Sequence, residues 1–524
     1  MNNKNLMSVL KDPETCARSL WERVPGYIRL TFCAAAVLGL VTHLYMFTNK
    51  FTNHDDMDSL FGNTYGAASG RWLRPLFIRL GGSASMPWLV GLLSVLCLAA
   101  AACLTVSLLR IRRPVGCVLA AGILVSFPTV LATFTYMYTS FAYFLSLLLA
   151  VFGAWAAVRW GWRGSAAAAA AIALSLSVYQ SYLPAAAALM VGALLLEALD
   201  GEKTFKALFL RGLRLLGTLI AGLAVYMVLV RVTTGGNLTS YMGLDNMGRI
   251  SLKELPGQIW RAYQNYFLFF WEDQSGCHFE VLKYALPLAA AGTAALVGAV
   301  LRHRRLGWAR TMLAAGLLAI FPLAADLIFL MVPDAQVHTL MIYGMSYALI
   351  LPIAIAEYAA PVLTEGFLPA FRGAVSWIVA LTMALTAYSY IVASNKCYLK
   401  IDLSMRQCEA YSVRLLERIE TCEGYEPWMS VVLVGSDLME GALFPMTEMG
   451  DVQVIGAISF AGLRSSYTYG YYLRNFLGFN RNVFVGGSEE EKAAAALDEV
   501  KEMPLYPREG SVRALNGMVV VKLN

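Results

Sequence analysis

The sequence has 524 residues, 58% hydrophobic and 15% charged, with a formal net charge of +6. A soluble globular chain carries about 25% charged residues, so this composition, with a mean hydropathy of +0.58, excludes an ordinary soluble domain. The modest positive charge lies mostly at the ends of apolar runs, where it speaks for membrane topology and against a nucleic-acid partner.

The first 27 residues are polar and basic (Lys4, Lys11, Arg18, Arg23) and read as a cytoplasmic leader. Apolar runs long enough to cross a hydrocarbon core of about 30 Å then predict eleven transmembrane helices. They fall at about 28–47, 88–109, 115–131, 141–158, 165–178, 183–199, 207–230, 284–301, 311–332, 338–356 and 373–393. The fifth and sixth form one apolar stretch, interrupted only by Tyr179-Gln180-Ser181-Tyr182 and Pro184. Arg110, Arg112 and Arg113, Arg159 and Arg163, Lys203 to Arg214, Arg302 to Arg310 and Arg372 lie in alternate connections, with the basic leader on their side. The connections near 128–140, 179–182 and 333–337 carry no Lys or Arg. Basic loops stay in the cytoplasm, so the amino terminus is expected inside and, after an odd number of spans, the carboxyl terminus outside. Nine cysteines show neither CxxC nor Cys/His spacing, which favours packing over metal binding or disulfides.

Three segments are then expected to face outward: loop 48–87, loop 232–282 with its run of aromatics from Trp260 to Trp271, and the tail 395–524. The tail opens on a helical repeat (Tyr398, Ile401, Met405, Cys408, Tyr411, Leu415, Ile419). Short β-like runs follow at Ser430–Gly435, Val452–Ile455 and Met518–Leu523, predicting a small extracytoplasmic α/β domain.

Loop 48–87 concentrates the chemistry. Asp55, Asp56 and Asp58 follow the end of a span, where partial desolvation raises a carboxylate pKa toward that of a general base. The segment Gly70-Arg71-Trp72-Leu73-Arg74-Pro75-Leu76 predicts a short amphipathic helix on the membrane surface, with Arg71, Arg74 and Ile78 on one face. Two arginines at headgroup depth suit a lipid-linked phosphate, because guanidinium binds phosphate through paired hydrogen bonds. Solvated acids and snorkelling arginines give the same pattern without function. Asp56-Met57-Asp58 also matches the DxD pattern that holds a metal in nucleotide-sugar transferases. No cofactor is expected, with a divalent metal at Asp55, Asp56 and Asp58 left open. Lower-ranked candidates are Tyr179, Gln180 and Tyr182 for a sugar, Glu272 and Asp273 for an acceptor cleft, Arg261 as a reserve phosphate ligand, and the intramembrane Asp326.

Asn53-His54-Asp55-Asp56, the Gly70–Leu76 segment and Tyr179-Gln180-Ser181-Tyr182 resemble the GT-C superfamily of multi-span glycosyltransferases. The likeness is closer to the type II O-antigen glucosyltransferase family, whose tail Gly435-Ser436 and Val519-Val520-Val521-Lys522 also resemble. The resemblance implies a GT-C-like membrane domain over 28–394. It also implies a polyprenyl-phosphate-linked sugar donor, probed at the outer face of a bacterial plasma membrane, and an envelope glycan acceptor. Asp55 or Asp56 would then be the base and Arg71 and Arg74 the ligands of the donor phosphate. Two rival classes remain at this level: a flippase or transporter of lipid-linked sugar, against which the absence of an internal repeat counts, and a non-catalytic envelope scaffold.

Overall fold

A computed structural model of the chain describes residues 12–60, 69–235, 253–271, 279–331, 337–435, 452, 455–456 and 468–523, without the side chains of Asp58 and Ser59. The leader helix α1 (Pro13–Arg23) precedes α2 (Gly26–Thr48). Two short helices, α3 (His54–Ser59) and α4 (Arg74–Leu80), lead to α5 (Pro87–Leu108). The third predicted run is broken into α6 (Pro114–Ser126) and α7 (Pro128–Phe134), which meet at 42°. Pro128 lacks an N–H and pushes Phe127 out of the helical region, so the ladder cannot continue. After α8 (Met137–Arg159), the apolar stretch around residue 180 resolves as a hairpin. Its arms are α9 (Gly161–Leu176) and α10 (Leu183–Asp200), joined through a 3-10 turn at Gln180–Tyr182.

The helix α11 (Phe205–Thr234) leads into the aromatic-rich segment, part of which is itself helical: α12 (Leu255–Trp271), with Trp260, Phe267 and Trp271 exposed. Then come α13 (Leu282–His303), α14 (Trp308–Ala325), the single turn α15 (Ile328–Met331) and α16 (Tyr347–Ala359). The last predicted span does not stop near residue 394. It belongs to α17 (Leu368–Glu420), whose 53 residues extend about 80 Å at 1.5 Å per residue. The apolar repeat from Tyr398 to Ile419 is its buried face, so one rigid rod carries the membrane bundle into the tail.

Among the described residues, eight helices are long and apolar enough to cross a membrane, and the bent pair α6–α7 makes a ninth. The chain is thus a mostly helical membrane protein. The other two predicted spans correspond to helices below that length: α9 has 16 residues, and α16 has 13, with 3-10 turns ahead of it. The buried His43 of α2 fixes the register of three helices. It pairs with the Tyr398 hydroxyl of α17 at 2.7 Å and with the Val125 carbonyl of α6 at 2.8 Å.

The tail contains β1 (Ser430–Val434), α18 (Tyr469–Leu477), β2 (Val483–Phe484), α19 (Glu489–Ala496), α20 (Asp498–Glu502), β3 (Val512–Leu515) and β4 (Met518–Lys522). The sheet order is β2-β1-β4-β3, with β1 parallel to both neighbours and β3–β4 an antiparallel hairpin. Asn516 and Gly517 turn that hairpin with φ of 50° and 76°, as a tight two-residue turn requires. Strand alternation sends Val431, Leu433, Val519 and Val521 toward α17 and α18, and Val432, Val434 and Val520 toward α19 and α20. Val452 and Ile455 lie outside any described strand.

Candidate active site

Asn53 starts α3. Its side-chain oxygen accepts the Asp56 N–H at 2.7 Å, and its amide donates to the Thr135 carbonyl at the end of α7. This double hold turns the two adjacent acids into different groups. Asp56 is fully buried, and its Oδ1 accepts the Tyr138 N–H at 3.2 Å, capping the first turn of α8 from another segment. Among the described residues, its Oδ2 has no hydrogen-bond partner. Burial pushes the Asp56 carboxyl up to about 8; the neighbouring Asp55 charge adds to this, and the Tyr138 N–H opposes it. Asp55 points the other way, with 36% of its side chain exposed and its Oδ1 3.5 Å from His54 Nε2. The next residue, Met57, leaves the membrane part altogether: it is 1% exposed and belongs to the core of the tail, beside α18. Asn475 of α18 donates to the Met57 carbonyl at 3.4 Å, and Lys50 sits over the Phe476 ring at 5.6 Å.

The arginines are held by a second set of elements. Gly70, at φ 72°, turns the chain into Arg71, and the Leu73 N–H binds the Ser177 carbonyl at 3.1 Å. Pro75 opens α4, whose missing N–H costs nothing in a first turn. The expected short helix forms, with Arg74 and Ile78 buried and Leu76 and Leu80 exposed. Arg71 lies just before the helix rather than on its face. Its Nε donates to Gln180 Oε1 and its Nη1 to the Tyr143 hydroxyl, each at 3.3 Å, and its guanidinium lies 5.1 Å from the Tyr179 ring centre. The Tyr143 hydroxyl also accepts from Arg74.

Tyr179, Gln180 and Tyr182 are therefore not on an open loop, as the charge-free connection suggested. All three are buried. Gln180 donates to the Ser69 carbonyl at 3.1 Å and the Tyr226 hydroxyl at 2.9 Å while accepting from Arg71, so its amide is committed to protein. Tyr179 stacks on Tyr143 at 4.2 Å and meets Tyr182 edge-on at 5.3 Å. These residues form the floor beneath Arg71. They are placed to orient the arginine, and a sugar reaches them only if the floor opens.

The acid and arginine segments meet at the start of α8, where Tyr138 feels the charges of Arg74, Asp55 and Asp56. Tyr138, Tyr143 and Tyr226 were missed by the sequence reading. Their available signal was a set of hydroxyls inside or beside otherwise apolar spans. Arg261 lies exposed on α12, which packs on α14 and α15. Asp326, the C-cap of α14, is wholly buried near Tyr266 of α12, and among the described residues neither carboxylate oxygen has a hydrogen-bond partner. Glu272 and Asp273 lie outside the described residues, as does the side chain of Asp58. Among the described residues, no group of three or more His, Cys, Asp or Glu side chains is placed to hold a metal ion.

The fold is that of a multi-span helical membrane protein, with two carboxylates and two arginines brought to one end of α8. The family model described as Glucosyl transferase GtrII matches residues 44–349, more than half of the chain, and the chain belongs to that family. Its membership makes it a transferase with a sugar donor and an acceptor. The match takes in α3, both arginines and Tyr179–Tyr182, and ends before α17 and the tail. No curated protein and no solved structure matches the chain.

Proposed function

We propose that the chain crosses the bacterial plasma membrane eleven times, with its amino terminus cytoplasmic and its tail outside. In this reading it transfers a sugar, glucose in keeping with the family, from a polyprenyl-phosphate carrier to a hydroxyl of an envelope glycan. The observation that carries the proposal is the gathering of Asp55, Asp56, Arg71 and Arg74 around the first two turns of α8. That end of the bundle is opposite the basic connections, and hence outside.

Asp55 is the base. Its side chain is accessible, whereas Asp56 is sealed in and already engaged by Tyr138. Asp55 takes the proton of the acceptor hydroxyl as the acceptor oxygen attacks the anomeric carbon. The bond from that carbon to the carrier phosphate breaks, and the phosphate leaves with the electron pair. Arg71 and Arg74 stabilise the charge growing on it, which a positioned guanidinium does before the reaction begins. A single displacement inverts the anomeric centre, so one base suffices. Tyr143 accepts from both arginines and keeps them together. Asp56 holds the base by capping α8.

One observation favours a second reading, in which Asp56 itself is the base: its unpartnered Oδ2 and raised pKa suit proton transfer near neutrality. Transfer by purified protein in lipid, with polyprenyl-phosphate-glucose and envelope glycan, separates the two. Asp55→Asn should lower kcat by about 10²–10⁴-fold, the usual worth of a general base, and Asp56→Asn should keep most activity. The opposite result moves the role to Asp56. Full activity in both variants refutes an acid base on α3.

A further inference from the structure

We infer that the cleft between α9 and α11 is a binding site for one anionic phospholipid of the leaflet at the basic end of the bundle. The two helices touch at Gly222, where a Cβ would stand 2.8 Å from Ile172 and 3.2 Å from the Ala169 carbonyl. Between that crossing and the basic end, they leave a groove of about 940 Å³. Its walls are small and apolar (Ala166, Ala169, Gly217, Ala221), a surface that accepts an acyl chain without a side chain in the way.

Its mouth is charged. Lys203, Arg211 and Arg214 line it, and the almost buried Glu197 pairs with Lys203 at 2.5 Å and Arg211 at 2.6 Å. Three cations thus line the mouth, and no acidic side chain lines the groove among the described residues. Arg214 is held by the Ala157 carbonyl at 2.8 Å and lies 5.9 Å from the ring of the exposed Trp162. Cationic side chains lining the head of an apolar groove complement a phosphate headed by acyl chains, and the ring of Trp162 suits headgroup depth. Bulk lipid does not account for this arrangement, because a purely annular contact has no need of fixed, oriented cations.

Native mass spectrometry of the delipidated full chain, re-exposed to phosphatidylglycerol and phosphatidylcholine at equal mole fraction, tests the site. The wild type should keep one phosphatidylglycerol in preference to phosphatidylcholine. Arg214→Gln should weaken that retention about tenfold, the worth of one charge-assisted contact, and leave phosphatidylcholine unaffected. Ala169→Phe, which keeps every cation but fills the groove, should abolish retention; Ala221→Phe fills it from the facing wall and should do the same. Equal retention of both lipids by the wild type overturns the inference. So does undiminished phosphatidylglycerol in Arg214→Gln or in the folded groove-filling variants, or preferential retention of polyprenyl phosphate.

Discussion

Replacing Met57 by alanine tests whether the tail sets the position of the proposed base. Met57 of α3 lies in the tail core, where it belongs to a cluster with Cys408, Tyr411, Leu415, Tyr472 and Leu473. A buried Met→Ala change costs about 2–5 kcal/mol. A helix of six residues has little stability of its own. The cost therefore falls on the docking of α3, which otherwise rests on the Asn53–Thr135, Asp56–Tyr138 and Asn475–Met57 hydrogen bonds. At about 3 kcal/mol, the docked-to-undocked ratio of α3 falls about a hundredfold. The assay is steady-state transfer with donor and acceptor varied separately. We expect kcat to fall at least tenfold with donor KM unchanged, because Arg71 and Arg74 are anchored to α8 and the turn before α10 instead. Met57→Leu, close in volume, should restore most of the rate. An unchanged kcat in Met57→Ala would refute the reasoning, and so would a rise in donor KM at constant kcat, which places the damage at the arginines.

Other consequences are as direct. Gln180→Leu removes one hydrogen bond each from Arg71, the Ser69 carbonyl and the Tyr226 hydroxyl, and should raise donor KM about 10–100-fold, at about 0.5–1.5 kcal/mol of stability for each bond lost; an unchanged KM removes Gln180 from the positioning of Arg71. Asp56 has a folded pKa of about 8 against an ordinary 3.8, so between these values the folded state holds the extra proton. Its stabilising contribution is full below about pH 4 and gone above about pH 8; thermal unfolding should show Asp56→Asn gaining on the wild type across that window, and parallel profiles refute the assignment. Asp326→Asn removes a buried carboxylate without partners and should raise the unfolding temperature while leaving transfer intact; loss of transfer at retained stability makes Asp326 part of the site.

The helices, the hairpin around residue 180 and the place of the acid and arginine clusters were legible because membrane spans and their charged ends are local properties of the chain. Tertiary relations were not. Nothing in Asp55-Asp56 says which acid is buried, since that depends on the first turn of α8 lying over one of them, some 80 residues later. The same holds for Met57: flanked by acids, it reads as part of a polar loop, yet it enters a core assembled from α17, α18 and the sheet, more than 350 residues away. Tyr179, Gln180 and Tyr182 read as an exposed tip because their loop has no charge. That lack of charge is equally what a fully buried turn requires, and here burial is the reason for it.

The arrangement explains why the polar residues of the proposed site come from separate, separately braced segments. The carboxylates ride on α3, clamped between α8 and the tail, while the arginines are fixed from the turn before α10 and from Tyr226 of α11. Only the first two turns of α8 are common to both, through Tyr138 and Tyr143. In a single displacement, the acceptor oxygen must approach from the side opposite the leaving phosphate, so base and phosphate ligands must not collapse onto each other. Anchoring them to different segments gives each its own support, with α8 as the common reference. If Asp55 is the base as proposed, a shift of α18 would change acceptor alignment through Met57 while leaving the arginines held as before.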